Sequence, residues 1–94
     1  MDYVWDDAKA ARHLAKHHVP FEYAARVFLD PWRLDAPDQR HDYGETRRVV
    51  LGDIDGRLLV VVYALRGVEV RISSARKANE GEKKRYDTFS AQGG

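Results

Sequence analysis

Three segments in the second half of the chain are rich in β-branched and other apolar residues. Two dipeptides that are typical of tight turns, Asp55-Gly56 and Arg66-Gly67, separate them. The segments run from Arg47 to Ile54, from Arg57 to Leu65 and from Val68 to Ser74. Apolar segments joined by tight turns pair with their neighbours, so the pattern predicts a three-stranded antiparallel meander.

The first half of the chain has helical spacing instead. The β-prone segment Tyr3 to Trp5 predicts a short strand, and Asp6 and Asp7 after it are suitable helix N-caps. The Ala-rich residues Ala8 to His17 predict a first helix with a basic polar face. Apolar residues at helical spacing from Phe21 to Leu29, bracketed by prolines, predict a short second helix.

The remaining segments complete the predicted order of elements. Residues 30–45 are rich in Asp, Pro and Gly and predict a long connection with one short strand around Trp32 to Asp35. Ala78 to Phe89 predicts a closing helix, followed by a soft tail over Ser90 to Gly94. We therefore predict a single α+β domain over residues 1–94, with its helices packed on one face of a small antiparallel sheet. The opposite face is the predicted working surface.

The composition narrows the class of protein. The chain has no cysteine, which excludes a disulfide framework, a thiolate metal site and a cysteine nucleophile, and which suits a reducing compartment. Its longest apolar run, Leu58 to Leu65, is about eight residues, whereas crossing a bilayer takes ~20. The acidic start, Met1 to Tyr3, lacks the positively charged region of a signal peptide. We therefore expect an unexported, cytoplasmic protein.

The net charge of +1 conceals an asymmetry along the chain. Residues 1–45 contain six Lys and Arg against nine Asp and Glu, a net of −3. Residues 46–94 contain ten against six, a net of +4. A basic half favours contact with phosphates, because Lys and Arg neutralise them and release counterions. An ordinary surface laced with salt bridges is the alternative interpretation.

The third predicted strand directs an arginine away from the core. Side chains alternate between the two faces of a strand, so Val68, Val70 and Ile72 are predicted to face the core. The opposite face then receives Glu69, Arg71 and Ser73. Further cations follow the strand, and they are Arg76, Lys83, Lys84 and Arg85. Arginines bind phosphate bidentately, so this cluster predicts a phosphate site; the alternative is that Arg71 pairs with a carboxylate on a neighbouring strand.

RNA can be cleaved without a metal ion by side chains of this kind. A base activates the ribose 2′-OH, a cation stabilises the pentavalent phosphorane, and an acid protonates the leaving 5′-oxygen. The candidates are His13, His17, His18, His41, Glu69, Glu82, Tyr63 and Tyr86, and the sequence does not rank them. His13 and His17 lie one helical turn apart, but no third metal ligand stands at a supporting spacing. We therefore predict neither a metal ion nor another cofactor.

Two ordered signatures carry a family resemblance. The first consists of Trp5-Asp6, Lys9, Lys16-His17, Val19, Phe21-Glu22 and Ala24 or Ala25, continued by Phe28, Asp30, Pro31, Glu45 and Arg47. The second consists of Arg71 to Arg76, Ala78, Glu82 and Tyr86. With this order and spacing the chain resembles the BrnT toxins of bacterial type II toxin–antitoxin modules, a branch of the RelE/ParE-like ribonuclease folds.

The resemblance implies a RelE/ParE-like fold and cleavage of RNA that blocks translation. It also implies neutralisation by a BrnA-like antitoxin with a ribbon-helix-helix DNA-binding domain, and contact with operator DNA through that antitoxin. Two residues depart from the family pattern. His13 stands where the family often has Asn, and His18 stands where it usually has Gly after Lys-His. Glycine would suit a left-handed helix C-cap, which histidine adopts at a higher energetic cost.

Our leading hypothesis is a metal-independent endoribonuclease. The predicted catalytic residues are Arg71 and Arg76 for phosphate and transition-state charge, with His17, Glu69 and Tyr86 as acid or base. The predicted RNA-binding residues are Lys9, Lys16, Lys83 and Arg85. One alternative is a non-catalytic toxin that acts by protein binding and by autoregulation with its antitoxin. The other is a stand-alone nucleic-acid-binding domain.

Overall fold

A computed structural model describes residues 2–38 and 46–93 of the chain. Five strands are β1 (Asp2–Val4), β2 (Leu34–Pro37), β3 (Arg47–Ile54), β4 (Arg57–Arg66) and β5 (Glu69–Lys77). The helices are α1 (Asp7–His17), α2 (Phe21–Ala24), which continues as a 3₁₀ segment (Ala25–Leu29), and α3 (Glu80–Gly93). The predicted α+β class is confirmed. The predicted closing helix begins two residues later than expected and continues into the segment predicted as a soft tail.

The strands form one sheet in the order β1-β5-β4-β3-β2. The predicted antiparallel meander of β3, β4 and β5 is confirmed. The prediction of an antiparallel sheet throughout is wrong, because β1 pairs in parallel with β5 and makes the sheet mixed. A hairpin would impose antiparallel pairing, but no hairpin joins β1 to β5, because two helices and three other strands lie between them in the chain.

Two tight turns fix the register of the meander. Asp55 and Gly56 both have positive φ, at 52° and 91°, which is the signature of a type I′ hairpin turn. The second turn is centred on Gly67 and Val68 instead of Arg66 and Gly67, since Arg66 pairs with Glu69. Val68 is therefore in the turn and 74% exposed, so its predicted place in the core is wrong.

Both faces of the sheet carry a hydrophobic core. One core lies against α2 and the 3₁₀ segment and contains Val19, Phe21, Ala24, Val27, Val50, Ile54, Leu59, Val61, Tyr63, Val70, Ile72 and Ala75. The other lies against α3 and contains Leu51, Val60, Ala78 and Tyr86. We call these the α2 face and the α3 face. The prediction that all helices pack on one face is wrong, because the continuous apolar runs of β3 and β4 present apolar side chains on both faces.

The buried carboxylate of Asp30 joins the two faces. It follows the 3₁₀ segment and accepts hydrogen bonds from the backbone N–H of Trp32 (2.9 Å), the backbone N–H of Asp53 (2.8 Å) and the Tyr86 hydroxyl (2.6 Å). Burial alone would raise the pKa of Asp30, but these three donors outweigh it and hold the pKa below its usual range. Asp30 thus fastens β3 and α3 to the end of the 3₁₀ segment.

Helix α1 begins and ends at specific caps. Its N-cap is Asp6, whose Oδ1 accepts the backbone N–H of Lys9 at 3.0 Å. Its C-cap is His18, which has left-handed backbone angles of φ 58° and ψ 31° and donates its N–H to the Leu14 carbonyl. His18 therefore occupies the left-handed position in which the family pattern usually has a glycine.

Within residues 2–38 and 46–93, no helix is long and apolar enough to span a bilayer.

Replacement of Asp30 by asparagine should destabilise the protein in a pH-dependent way. The carboxylate has a lowered folded-state pKa, so its contribution is complete above the unfolded-state pKa of roughly 4 and is lost as the pH falls through the folded-state value. We expect Asp30→Asn to lower the free energy of unfolding by about 2 kcal/mol at pH 7. Urea titrations should show this difference shrinking below about pH 4, while the exposed control Asp87→Asn changes little. A difference that is constant from pH 7 to pH 3 would contradict the assignment.

Replacement of His18 by glycine should stabilise the protein. Glycine adopts the left-handed region without the steric cost that a Cβ brings, so we expect a gain of about 1 kcal/mol, or ~4–8 °C in Tm. Thermal unfolding of His18→Gly and His18→Ala separates this effect from loss of the imidazole. The alanine variant keeps the strained backbone and should show no gain. Equal melting temperatures for the two variants would argue against strain at this cap.

Candidate active site

A β-bulge in β5 determines which side chains share the α3 face. Val62 of β4 pairs with Ser74, and the next residue of β4, Tyr63, pairs with Ile72, so Ser73 is an extra residue in β5. Beyond the bulge Ala75 is fully buried in the same core as Ile72, which shows that the alternation has shifted by one position. As a result, the residues on the α3 face are Arg71 before the bulge and Ser74 and Arg76 after it.

The strand register arranges this face in rows across three strands. The first row contains Arg47, Ala64 and Arg71. The second row contains Val49, Val62 and Ser74, and the third contains Leu51, Val60 and Arg76. The second row is small or apolar throughout, and it lies between two arginines of the first row and one arginine of the third row. Among the described residues Arg71 forms no ion pair, so the alternative of a carboxylate partner on a neighbouring strand is not what the structure shows.

Two adjoining cavities lie over these rows, and we call them together the sheet groove. One measures about 500 Å³ and is lined by Pro37, Asp38, Val49, Val60, Val62, Ser74, Arg76 and Glu82. The other measures about 320 Å³ and is lined by Lys9, His13, Asp38, Arg47, Val62, Ser73 and Ser74. They share Asp38, Val62 and Ser74. The groove therefore brings cations from α1, β3 and β5 to one concave surface.

Arg76 is held in the groove by the first turn of α3. Its two terminal nitrogens donate to the two carboxylate oxygens of Glu82, each at 2.9 Å. Glu82 is itself fixed by a capping box, in which it accepts the Asn79 backbone N–H and donates its own N–H to the Asn79 Oδ1, both at 2.8 Å. The bond to Arg76 lowers the pKa of Glu82, and the same bond raises the pKa of Arg76. The guanidinium thus remains charged and points along a fixed direction.

His13 supplies a neutral imidazole to the groove near pH 7. Its ring stacks on His17 with centroids 5.6 Å apart and lies at the same distance from the ring of the buried Phe21. Burial lowers the pKa of His13, and the nearby charges of His17, Arg12, Lys16 and Lys9 lower it further. Its Nδ1 is buried and has no hydrogen-bond partner among the described residues.

The structure gathers some of the predicted site residues and separates others. Arg76 and Lys9 line the groove, and Arg71 stands exposed in the first row. Glu69 lies two positions before Arg71 at the turn end of β5, and it is exposed. His17 stacks on His13 but does not line either cavity of the groove.

The other predicted residues lie elsewhere. Lys16 is exposed on α1, and Lys83 forms an ion pair with Glu80 at 3.2 Å outside the groove. Arg85 borders a cavity between α3 and strands β2 and β3. Tyr86 is in the core, where its hydroxyl donates to Asp30, and burial together with that bond raises its pKa.

Among the remaining acid and base candidates, Tyr63 is also structural. It is buried on the α2 face and donates its hydroxyl to Asp35, which also accepts from Arg48 Nε at 2.8 Å. Burial first and Asp35 second raise the pKa of Tyr63 to about 12. His18 is the C-cap of α1, and His41, like Glu45, lies outside the described residues.

Three features of the groove were not predicted from the sequence. The pattern Asn79-x-x-Glu82 is a capping-box signal in the sequence, and it could have indicated that Glu82 is fixed in position to bind Arg76. The cross-strand partner of Arg47 follows from the Asp55-Gly56 turn, because a two-residue hairpin turn fixes the register of all the pairs between β3 and β4. The bulge at Ser73 had no comparable signal in the sequence.

Within the described residues, no three His, Asp or Glu side chains are grouped so that they could hold a metal ion.

The comparisons with known proteins agree with the predicted family. The family model described as the ribonuclease toxin BrnT of type II toxin–antitoxin systems matches residues 5–82. The chain belongs to the BrnT family. The matched region contains the groove from Lys9 to Glu82, and a type II system implies an antitoxin partner for this BrnT-family protein. A search of curated proteins found no match.

The capping box predicts how substitutions of Glu82 should rank. Glu82→Ala removes the bonds to Arg76 and to the Asn79 backbone, and we expect it to lower the free energy of unfolding by about 1–2 kcal/mol. Glutamine at this position preserves a capping box, so Glu82→Gln should cost about half as much. Urea denaturation at pH 7 measures both, with the exposed Glu80→Ala as control. Equal losses for Glu82→Ala and Glu82→Gln would show that the negative charge alone matters.

Proposed function

We propose that this BrnT-family protein is a metal-independent endoribonuclease that cleaves RNA in the sheet groove and thereby inhibits translation. The observation that supports this most is the placement of Arg47, Arg71 and Arg76 on one face of the sheet, where the bulge at Ser73 brings Arg76 to the side of Arg71. Three arginines around a concave surface match a polyanionic strand, and arginine suits the geometry of phosphate. We also propose that residues 1–94 form one BrnT-like domain.

The proposed reaction is an attack by the ribose 2′-oxygen on the adjacent phosphorus. The O2′–P bond forms and the P–O5′ bond breaks, which leaves a 2′,3′-cyclic phosphate and a free 5′-hydroxyl. A base takes the proton from the 2′-OH, and an acid gives a proton to the leaving 5′-oxygen. Arg76 stabilises the negative charge of the phosphorane, because a donor held in place beforehand needs no reorganisation during the reaction. Lys9, Arg47 and Arg71 hold the phosphates on either side.

Among the acid and base candidates of the sequence, the groove favours His13 over the predicted residues His17, Glu69 and Tyr86. His13 lines the groove and its pKa is lowered, so its imidazole is ready to accept a proton at pH 7. We propose His13 for this role in preference to His17, which only stacks on it. Tyr86 has no role in the proposed reaction, since its hydroxyl is committed to Asp30. Glu69 remains a proposed contributor at the Arg71 end of the face.

RNA cleavage by the purified chain in the presence of EDTA tests the proposal. Arg76→Ala should lower kcat by about 10²- to 10³-fold, the usual cost of one donor to transition-state charge. Arg71→Ala should also lower cleavage. The control Lys84→Ala should leave it unchanged, because Lys84 is exposed and lines neither cavity of the groove, although the sequence predicted it in the same cation cluster. Products ending in a 2′,3′-cyclic phosphate are expected. Wild-type protein that leaves RNA intact, or cleavage equal in all variants, would contradict it and would favour the alternative of a toxin that acts by protein binding alone.

We further propose that the antitoxin is BrnA-like, with a ribbon-helix-helix domain through which the pair contacts operator DNA, and that both act in the cytoplasm. The support is family membership, since type II toxins are inhibited by a bound protein. A neighbouring reading frame that encodes a small ribbon-helix-helix protein would agree with this. Co-expression should yield a stable complex that has lost RNA cleavage and has gained binding to its own promoter DNA.

A further inference from the structure

A second cluster of cations lies beyond the Arg76 end of the sheet groove. Arg57, Lys77 and Lys83 line a cavity of about 270 Å³ together with Gly56, Leu58 and Ala78. The three cations come from the start of β4, the end of β5 and the first turn of α3. We call this the distal cavity.

The distal cavity lies at the end of the strands that form the floor of the groove, where residues of both sheet faces meet. Leu58 and Ala78 have the α3-face alternation, whereas Arg57 and Lys77 pair with residues of the α2-face core. Leu58 is two residues before Val60 of the groove floor, and the hydrogen bond from the Ala78 N–H to the Leu58 carbonyl (3.0 Å) extends the pairing of β4 with β5 past Arg76. Lys83 follows the groove residue Glu82 on α3. Lys77, the neighbour of Arg76 in β5, pairs with Leu59 of the α2-face core and so borders the cavity from the other side of the sheet. From Val62 to Leu58 is four residues of strand, or about 13 Å at ~3.3 Å per residue. An extended RNA strand that runs along the groove past Arg76 can therefore reach the distal cavity.

The charges of the distal cavity are only partly neutralised. The guanidinium of Arg57 lies over the Tyr23 ring at 5.6 Å, a cation–π contact that restrains it without cancelling its charge. Asp55, the acidic residue of the nearby turn, is already paired with Arg26 at 3.0 Å. Lys83 pairs with Glu80, but the Glu80 side chain is 85% exposed, and surface pairs of this kind are weak. Asp53 is the cross-strand partner of Leu58, and its Oδ2 accepts the Gly56 N–H at 3.2 Å beside the cavity. Three cations thus face two carboxylates, those of Glu80 and Asp53.

We propose that the distal cavity is a second phosphate-binding site, which takes a backbone phosphate of the same RNA strand whose scissile phosphate lies at Arg76. This inference rests on the proposed function. The distal cavity takes no part in bond breaking. It adds binding energy equally to the substrate and the transition state, so it lowers KM and leaves kcat unchanged. It also sets a minimum length of RNA for tight binding.

Equilibrium binding of single-stranded RNA over a series of salt concentrations tests the proposal. For single strands, each phosphate contact contributes about −0.7 to the slope of log K against log salt. The double variant Arg57→Gln/Lys77→Gln removes two charges and keeps the aliphatic stems, so we expect the slope to become smaller in magnitude by about 0.7 or more. The matched control Arg33→Gln/Lys84→Gln removes two exposed charges that line neither the groove nor the distal cavity, and it should keep the wild-type slope. The single variant Lys83→Gln, on an exposed helix position, provides a second test if the double variant is not folded.

Kinetics separate this inference from the proposed function. On a long RNA, Arg57→Gln/Lys77→Gln should raise KM by about fivefold with unchanged kcat. On a dinucleotide, which cannot span both sites, it should cleave like the wild type. If the wild type neither binds nor cleaves RNA, the proposed function and this inference both fail. If the wild type cleaves but the distal variants match the control in salt slope and KM, this inference alone is overturned.

Discussion

The carboxylate of Asp30 is the interaction on which the assembly of this fold depends. The sheet is apolar on both faces, and each face has its own cover, one built from α2 and the 3₁₀ segment and the other from α3. Asp30 follows the 3₁₀ segment of the first cover and accepts a hydrogen bond from the Tyr86 hydroxyl of α3. It also accepts the Asp53 N–H of β3. A buried charge is tolerated only when it is fully hydrogen-bonded, so the three donors and the carboxylate require one another.

That connection also supports the candidate active site. Arg76 takes its direction from Glu82, and Glu82 takes its direction from the capping box at the start of α3. The rest of α3 is anchored to the sheet through Tyr86, one turn further along the helix. The position of Arg76 therefore depends on how α3 packs on the sheet, and that packing depends on Tyr86 in the core. In this BrnT-family protein, the signature residues Arg76 and Glu82 line the groove, whereas Asp30 and Tyr86 support it from the core.

The bulge at Ser73 gives β5 two functions at once. Before it, Val70 and Ile72 fill the core of the α2 face, and after it Ala75 does so, although these residues differ in parity. The shift leaves Arg71 and Arg76 on the same side of the sheet. Without the extra residue one of these arginines would point into a hydrophobic core, where an unpaired charge is too costly to bury. A single inserted position thus reconciles a continuous core with a cationic surface.

Short-range features of this protein were readable in the sequence because they depend on neighbouring residues. The cap at the start of α1, the turn at Asp55-Gly56 and the limits of β3 all follow from local propensity and backbone sterics. The exposure of Arg71 followed from alternation in the same way. The left-handed position at His18 was indicated only by the family pattern, which usually has glycine there. The tertiary structure alone decided the side of the sheet that α3 covers, the parallel place of β1 and the shift at Ser73. Each of these depends on which apolar surfaces remain uncovered once the meander has formed, and local sequence does not record that. For the same reason Tyr86, a candidate acid in the sequence, proved to be the partner of a carboxylate 56 positions away.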